Sequence, residues 1–127
     1  MIAIDTNVLV RLVVADDPAQ AHRARKLVEK NEVVVATTVL LEAEWVLRSA
    51  YGFDRAQIAG AFRRFLGLPQ VAPDFPAAIA QALDSYDAGL DFADALHLAA
   101  TPQAGSFFTF DGRLARAARE SVSMVPG

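Results

Sequence analysis

The stretch "IAIDTNVLVR", residues 2–11, is an apolar run that stops at Asp5 and resumes at Val8 with helical spacing. Residues 1 to 4 read as a short buried strand and Val8 to Val14 as a helical segment, so a strand passes almost directly into a helix at a carboxylate. A carboxylate closing a buried strand is costly to hold near an apolar interior unless something pairs it, hydrates it or binds it. The question is which of these applies to Asp5.

Outward from this stretch, strand and helix patterns alternate. "DDPAQAHRARKLVEKN" has Asp17 as N-cap and Pro18 at the first helical position, and "EVVVATT" is a β-branched strand run. "TTVLLEAEWVLRSAYG" reads as a helix from Val39 to Tyr51, opened by a threonine cap and closed by Gly52. Asp54 caps a helix from Arg55 to about Leu66, Val71 with Ala72 forms a short strand, and "DFPAAIAQALDSYDAG" is a helix with Gly89 behind it. In "LDFADALHLAAT" Asp91 is the cap and Asp94, three residues on, its capping-box partner. "SFFTF" is a strand, "DGRLARAARE" turns into a helix, and "SVSMV" adds an edge strand. The alternation predicts an α/β fold of three layers, α/β/α, around a central, mainly parallel sheet.

A chain of 127 residues fits one domain, residues 1–127, and no repeat or linker divides it. Apolar residues make up 54% and charged residues 21%, which excludes disorder, and no apolar run reaches the roughly 18 residues of a membrane span. Asp5 and Arg11 interrupt the N-terminus where a signal peptide needs continuous apolar residues, so a soluble, cytoplasmic protein is expected. The absence of cysteine removes disulfides, thiolate metal sites and cysteine nucleophiles. The net charge of -3 excludes a broadly basic coat; with four carboxylates set aside the remainder is +1, and ten of its twelve cations are arginine, which suits phosphate better than lysine.

Four acids stand out by position. Asp5 and Asp111 each follow a strand and belong at the carboxyl edge of a parallel sheet, where α/β folds bind ligands. Glu44 and Arg48 read as a surface pair four residues apart. Glu42 falls on the other side of that helix, near Val39, Trp45, Val46 and Ser49, and reads as an acid tucked against apolar neighbours. Asp94 lies within an almost wholly apolar helix, with His97 one turn later expected to pack or to bond Asp94. The acids read as having no cation assigned to neutralise them, and like charges at short range need a counter-charge, usually a hard divalent cation such as Mg²⁺ or Mn²⁺. Such a site performs phosphodiester hydrolysis. Thr6, Asn7 and Thr109 are candidates to orient the acids or a water by hydrogen bonds.

"IDTNVLVRL", "TTVLLEAEWVL", "DFADALHLAA" and "TFDGRLAR", in this order and over the whole length, resemble the PIN-domain family, most closely the VapC-type ribonuclease toxins of toxin-antitoxin pairs. The resemblance implies that Asp5, Glu42, Asp94 and Asp111 are the acidic quartet holding Mg²⁺ or Mn²⁺, with Asp91 outside the core set. It also implies RNA cleavage, a homodimer, and inhibition by a small antitoxin protein. Two rivals are kept. A PIN-like module that binds RNA or protein without cutting would carry the same residues. An aspartyl-phosphate mechanism would need a lysine late in the chain, whereas only Lys26 and Lys30 are present.

Overall fold

The computed structural model describes residues 1–127 and divides into two compact units, Met1–Pro76 and Ala77–Gly127. In the first unit, β1 (Ile2–Ala3), β2 (Val33–Val35) and β3 (Val71–Pro73) form a parallel sheet in the order β1-β2-β3, with Ile2 opposite Val33 and Val33 opposite Val71. The β-branched run Val33–Val35 takes the centre because such side chains pack well on a pleated surface. α1 (Thr6–Val14) and α2 (Pro18–Glu29) connect β1 to β2, and α3 (Thr37–Ser49) and α4 (Arg55–Leu66) connect β2 to β3. Leu9, Val33, Val35, Leu40, Leu47, Ile58 and Phe62 are all but inaccessible to solvent.

Capping sets these helices. Asp17 accepts from Gln20 N–H at 3.1 Å with Pro18 in the first turn, and Asp54 with Gln57 makes a complete capping box. The threonine cap expected for α3 is not formed: the helix begins two residues earlier, at Thr37, and Ala36 is its N-cap. Asp74, just beyond β3, replaces it. Its carboxylate accepts from Thr37 N–H at 3.0 Å and from Thr37 Oγ1 at 2.8 Å, because parallel register brings the ends of β2 and β3 side by side. Asp74→Ala should therefore cost about 1 kcal/mol, the usual worth of an N-cap, and denaturant unfolding checks it.

At the far end of α1, Ala15 takes the left-handed conformation at φ 55°, and Asp16 beyond it accepts from Arg11 Nη1 at 2.6 Å and from the Tyr51 hydroxyl at 3.2 Å. Arg11 also donates to Tyr51 at 3.2 Å, so three polar side chains tie the α1–α2 turn to the residues after α3.

In the second unit, β4 (Phe107–Thr109) and β5 (Val122–Met124) pair in parallel, with Phe107 opposite Val122. The strands are thus all parallel, as expected, but they pair as one three-stranded and one two-stranded sheet. α7 (Gly112–Ala117) joins β4 to β5, after α5 (Pro76–Asp87) and α6 (Phe92–Ala99). Gly89, at φ 110°, allows the tight turn from α5 to α6, a conformation a side chain resists. Phe92 is buried edge-on against Tyr86, with ring centroids 5.2 Å apart, and anchors the first turn of α6.

Candidate metal and nucleic-acid site

Asp5 lies beyond β1 and is the N-cap of α1, its Oδ1 accepting from Thr6 N–H at 2.8 Å. Its side chain is exposed while Ile4 and Thr6 on either side are buried. The question raised by the sequence has a local answer: this charge is hydrated and bonded, so the fold tolerates it without a bound ion. It is the backbone of Thr6 that orients Asp5, and Asn7 is exposed.

On α3 the sequence reading of the two glutamates is reversed. Glu44 is buried, at 3% exposure, on the same side as Leu40, Ala43 and Leu47. It accepts from Arg48 Nε at 2.8 Å and Nη2 at 3.3 Å, so the pair has one end in the core instead of lying on the surface. Glu42 is exposed, and Trp45, one turn on, is 60% exposed, so Glu42 is not tucked against apolar neighbours. For a metal ligand this is the better placement, since its carboxylate is free of any ion pair within the protein.

The second unit brings acids together. Asp91, Asp94 and Asp111 line one cavity of about 380 Å³, along with Gly89, Leu90 and Arg113. Burial, and then the charges of Asp91 and Asp111, raise the Asp94 carboxyl above its ordinary value, while His97 acts in the opposite sense. Asp111 is fixed at both ends of its own residue. Its N–H donates to Thr109 Oγ1 at 2.9 Å, and its Oδ1 accepts from Arg113 N–H at 2.9 Å and Leu114 N–H at 3.4 Å as the N-cap of α7. Thr109, a candidate orienting residue from the sequence, thus meets Asp111 through its backbone and not through its carboxylate.

One expectation fails here, and of the two alternatives for His97 packing is the one found. The capping box of Asp91 and Asp94 does not form: Asp91 has the N-cap position of α6, but its carboxylate accepts no capping hydrogen bond, and the residue lines the cavity. His97 is exposed and stacks on Phe107 with ring centroids 6.4 Å apart, and no hydrogen bond links it to Asp94. Asp91 and Arg113 are the cavity residues that the sequence reading left out of the candidate site.

A model of the PIN domain family matches residues 2–120. The chain belongs to the PIN domain family. No curated protein and no solved structure matches it. PIN domains are generally nucleases acting on nucleic acid, typically with divalent metals, and the helices and parallel strands found here fit the three-layer α/β/α fold of the family. No helix of this PIN domain is long and apolar enough to cross a membrane.

Within neither unit do three or more His, Asp or Glu side chains gather closely enough to hold a metal by themselves. Mg²⁺ does not require that, because it is commonly held by one or two carboxylates, several waters and substrate phosphate oxygens. Asp94 and Asp111 supply such oxygens beside one cavity, neither is spent on an ion pair, and repulsion from its neighbours favours a cation beside Asp94. The donor chemistry, carboxylate oxygens without nitrogen or sulfur, is of the kind hard divalent ions take.

Proposed function

We propose that this PIN domain is a Mg²⁺- or Mn²⁺-dependent endoribonuclease and the toxin of a type II toxin-antitoxin pair, acting as a single domain over residues 1–127. The observation that carries the nuclease reading is the cavity lined by Asp91, Asp94 and the pinned Asp111, where burial and then the charges of Asp91 and Asp111 raise the Asp94 carboxyl, within a chain matched by the family model. Asp5, Glu42, Asp94 and Asp111 are the proposed ligands, on the strength of the family resemblance. These carboxylates would hold the ion, which when bound would supply a lowered pKa for water and neutralisation of charge at a phosphate oxygen.

The protein's part is positional. Asp111 is held by three hydrogen bonds, so its Oδ2 is presented in a fixed direction while Oδ1 caps α7. Asp5 is held in the same manner by Thr6 N–H, which leaves its other oxygen for a ligand. An N-cap at the carboxyl end of a strand thus combines two tasks: it satisfies the helix and aims one carboxylate oxygen outward. The toxin assignment, the small antitoxin partner and the homodimer rest on the resemblance of "IDTNVLVRL" and "TFDGRLAR" to VapC-type toxins.

The test combines crystals soaked in manganese, read by anomalous scattering, with RNA cleavage assays run with and without chelator. The expected result is a manganese peak at the carboxylates and cleavage that stops when the metal is removed. Cleavage that survives chelation would overturn the metal-dependent reading. RNA retained without any product would favour the binding module.

A further inference from the structure

The cavity lined by Asp91, Asp94 and Asp111 has one cation in its wall, Arg113. An arginine beside three carboxylates is ordinarily captured by one of them, since a fork of N–H donors matches a carboxylate. Arg113 is not: it forms no ion pair and its side chain is exposed. Its backbone N–H nevertheless bonds Asp111 Oδ1, so the guanidinium is carried on a residue whose main chain is pinned to the candidate site.

Arg116 lies one turn further along α7, on the same side. A Cβ built on Gly112 would meet Arg116 Nη1 at 3.0 Å, so the Arg116 side chain folds back across the first turn of the helix in room that a glycine leaves. Two guanidinium groups therefore flank the turn that starts at Asp111. A wall of acids alone repels a polyanion, and a chain of net charge -3 has no general basic surface to offset this, so a nucleic acid has to be drawn in by local cations.

We infer that Arg113 is a phosphate-binding residue, whose guanidinium takes oxygens of an RNA backbone phosphate at the mouth of the acid-lined cavity, with Arg116 on the neighbouring phosphate. The inference rests on the ribonuclease reading above. An uncaptured, planar, permanently charged group suits phosphate, and its separation from the acids leaves their oxygens to a metal.

The experiment measures binding of a fluorescent single-stranded RNA to the full chain carrying Asp5→Asn, across a salt series, with Mn²⁺-induced thermal shift recorded in parallel on chains that keep Asp5. Arg113→Gln should weaken RNA binding about 10-fold and reduce the slope of log affinity against log salt by about 0.7, as expected for one lost phosphate contact on a single strand. Arg113→Lys should recover part of the affinity, Arg119→Gln should change nothing, and the Mn²⁺ response should persist in all of them. In the active chain, Arg113→Gln should act mainly on KM.

Unchanged RNA affinity and salt slope in Arg113→Gln would overturn the inference while leaving the nuclease reading intact. A tighter Mn²⁺ response with unchanged RNA binding would mean that Arg113 is a counter-ion to the acids, which also overturns it. Dependence on Arg113 for a polyglutamate peptide but not for RNA would reassign the residue to an acidic protein partner. Failure of the unmutated chain to bind or cut RNA with Mn²⁺ would instead remove the ribonuclease reading, and this inference with it.

Discussion

Asp94→Asn is expected to abolish metal-dependent RNA cleavage while raising the melting temperature of the metal-free protein. The two effects have one cause. Burial and the charges of Asp91 and Asp111 disfavour ionised Asp94, so without a cation its charge destabilises the native state. With a cation the same arrangement becomes a ligand field, and removing the charge removes it. The loss of cleavage should exceed the roughly 10- to 100-fold that a metal site loses with an outer hydrogen bond. Asp5→Asn should also abolish cleavage, with the N-cap preserved because an asparagine oxygen still accepts from Thr6 N–H.

The pH dependence has a defined sign. A carboxyl raised in the folded state binds its proton more tightly there than in the unfolded chain, so its stabilising contribution is complete below the ordinary value of 3.8 and is lost as pH rises through the folded value. Thermal melts of the metal-free protein from acid to neutral pH should show this decline, and Asp94→Asn should remove it. Saturating Mn²⁺ should raise the melting temperature of the unmutated chain and not that of the variant. A variant that still cuts RNA, or still responds to Mn²⁺, would contradict this account.

Glu44→Gln should destabilise the protein by about 2 kcal/mol, whereas Glu42→Gln should leave stability unchanged and lower cleavage. Glu44 is buried and receives two charge-assisted hydrogen bonds from Arg48, each stronger than a neutral one. Breaking a pair buried at both ends costs about 3–5 kcal/mol, but the Arg48 side chain is half exposed and recovers hydration when its partner goes, which brings the cost down. Urea unfolding separates the two variants. Equal stability losses at both positions would refute the assignment of faces on α3.

The sequence reading placed Glu44 at the surface for a specific reason. Glu42 and Glu44 lie about 200° apart around the helix, so periodicity separates their faces. It does not say which face is inside, because apolar residues nearly encircle α3: Leu40, Ala43 and Leu47 are buried, while Leu41 and Trp45 are exposed. The assumption that an ion pair belongs in water chose the wrong side. Element order and the caps at Asp17 and Asp54 were legible because each depends on residues adjacent in sequence, and the parallel pairing because strands separated by helices run the same way. The cap that Asp74 gives Thr37 was not, since it joins residues 37 positions apart and follows from strand register. Asp91 was hidden by a plausible local partner, and Arg113, in "FDGRLAR", because an arginine early in a short helix reads as an ordinary solvated charge.

Trp45 gives the chain an unlabelled optical reporter. It is the only tryptophan, it stands in water on α3, and its indole is one helical turn from Glu42. Intrinsic fluorescence therefore comes from a single, well-placed chromophore, so quenching or a blue shift of its emission follows ligands arriving on that side of the helix in real time.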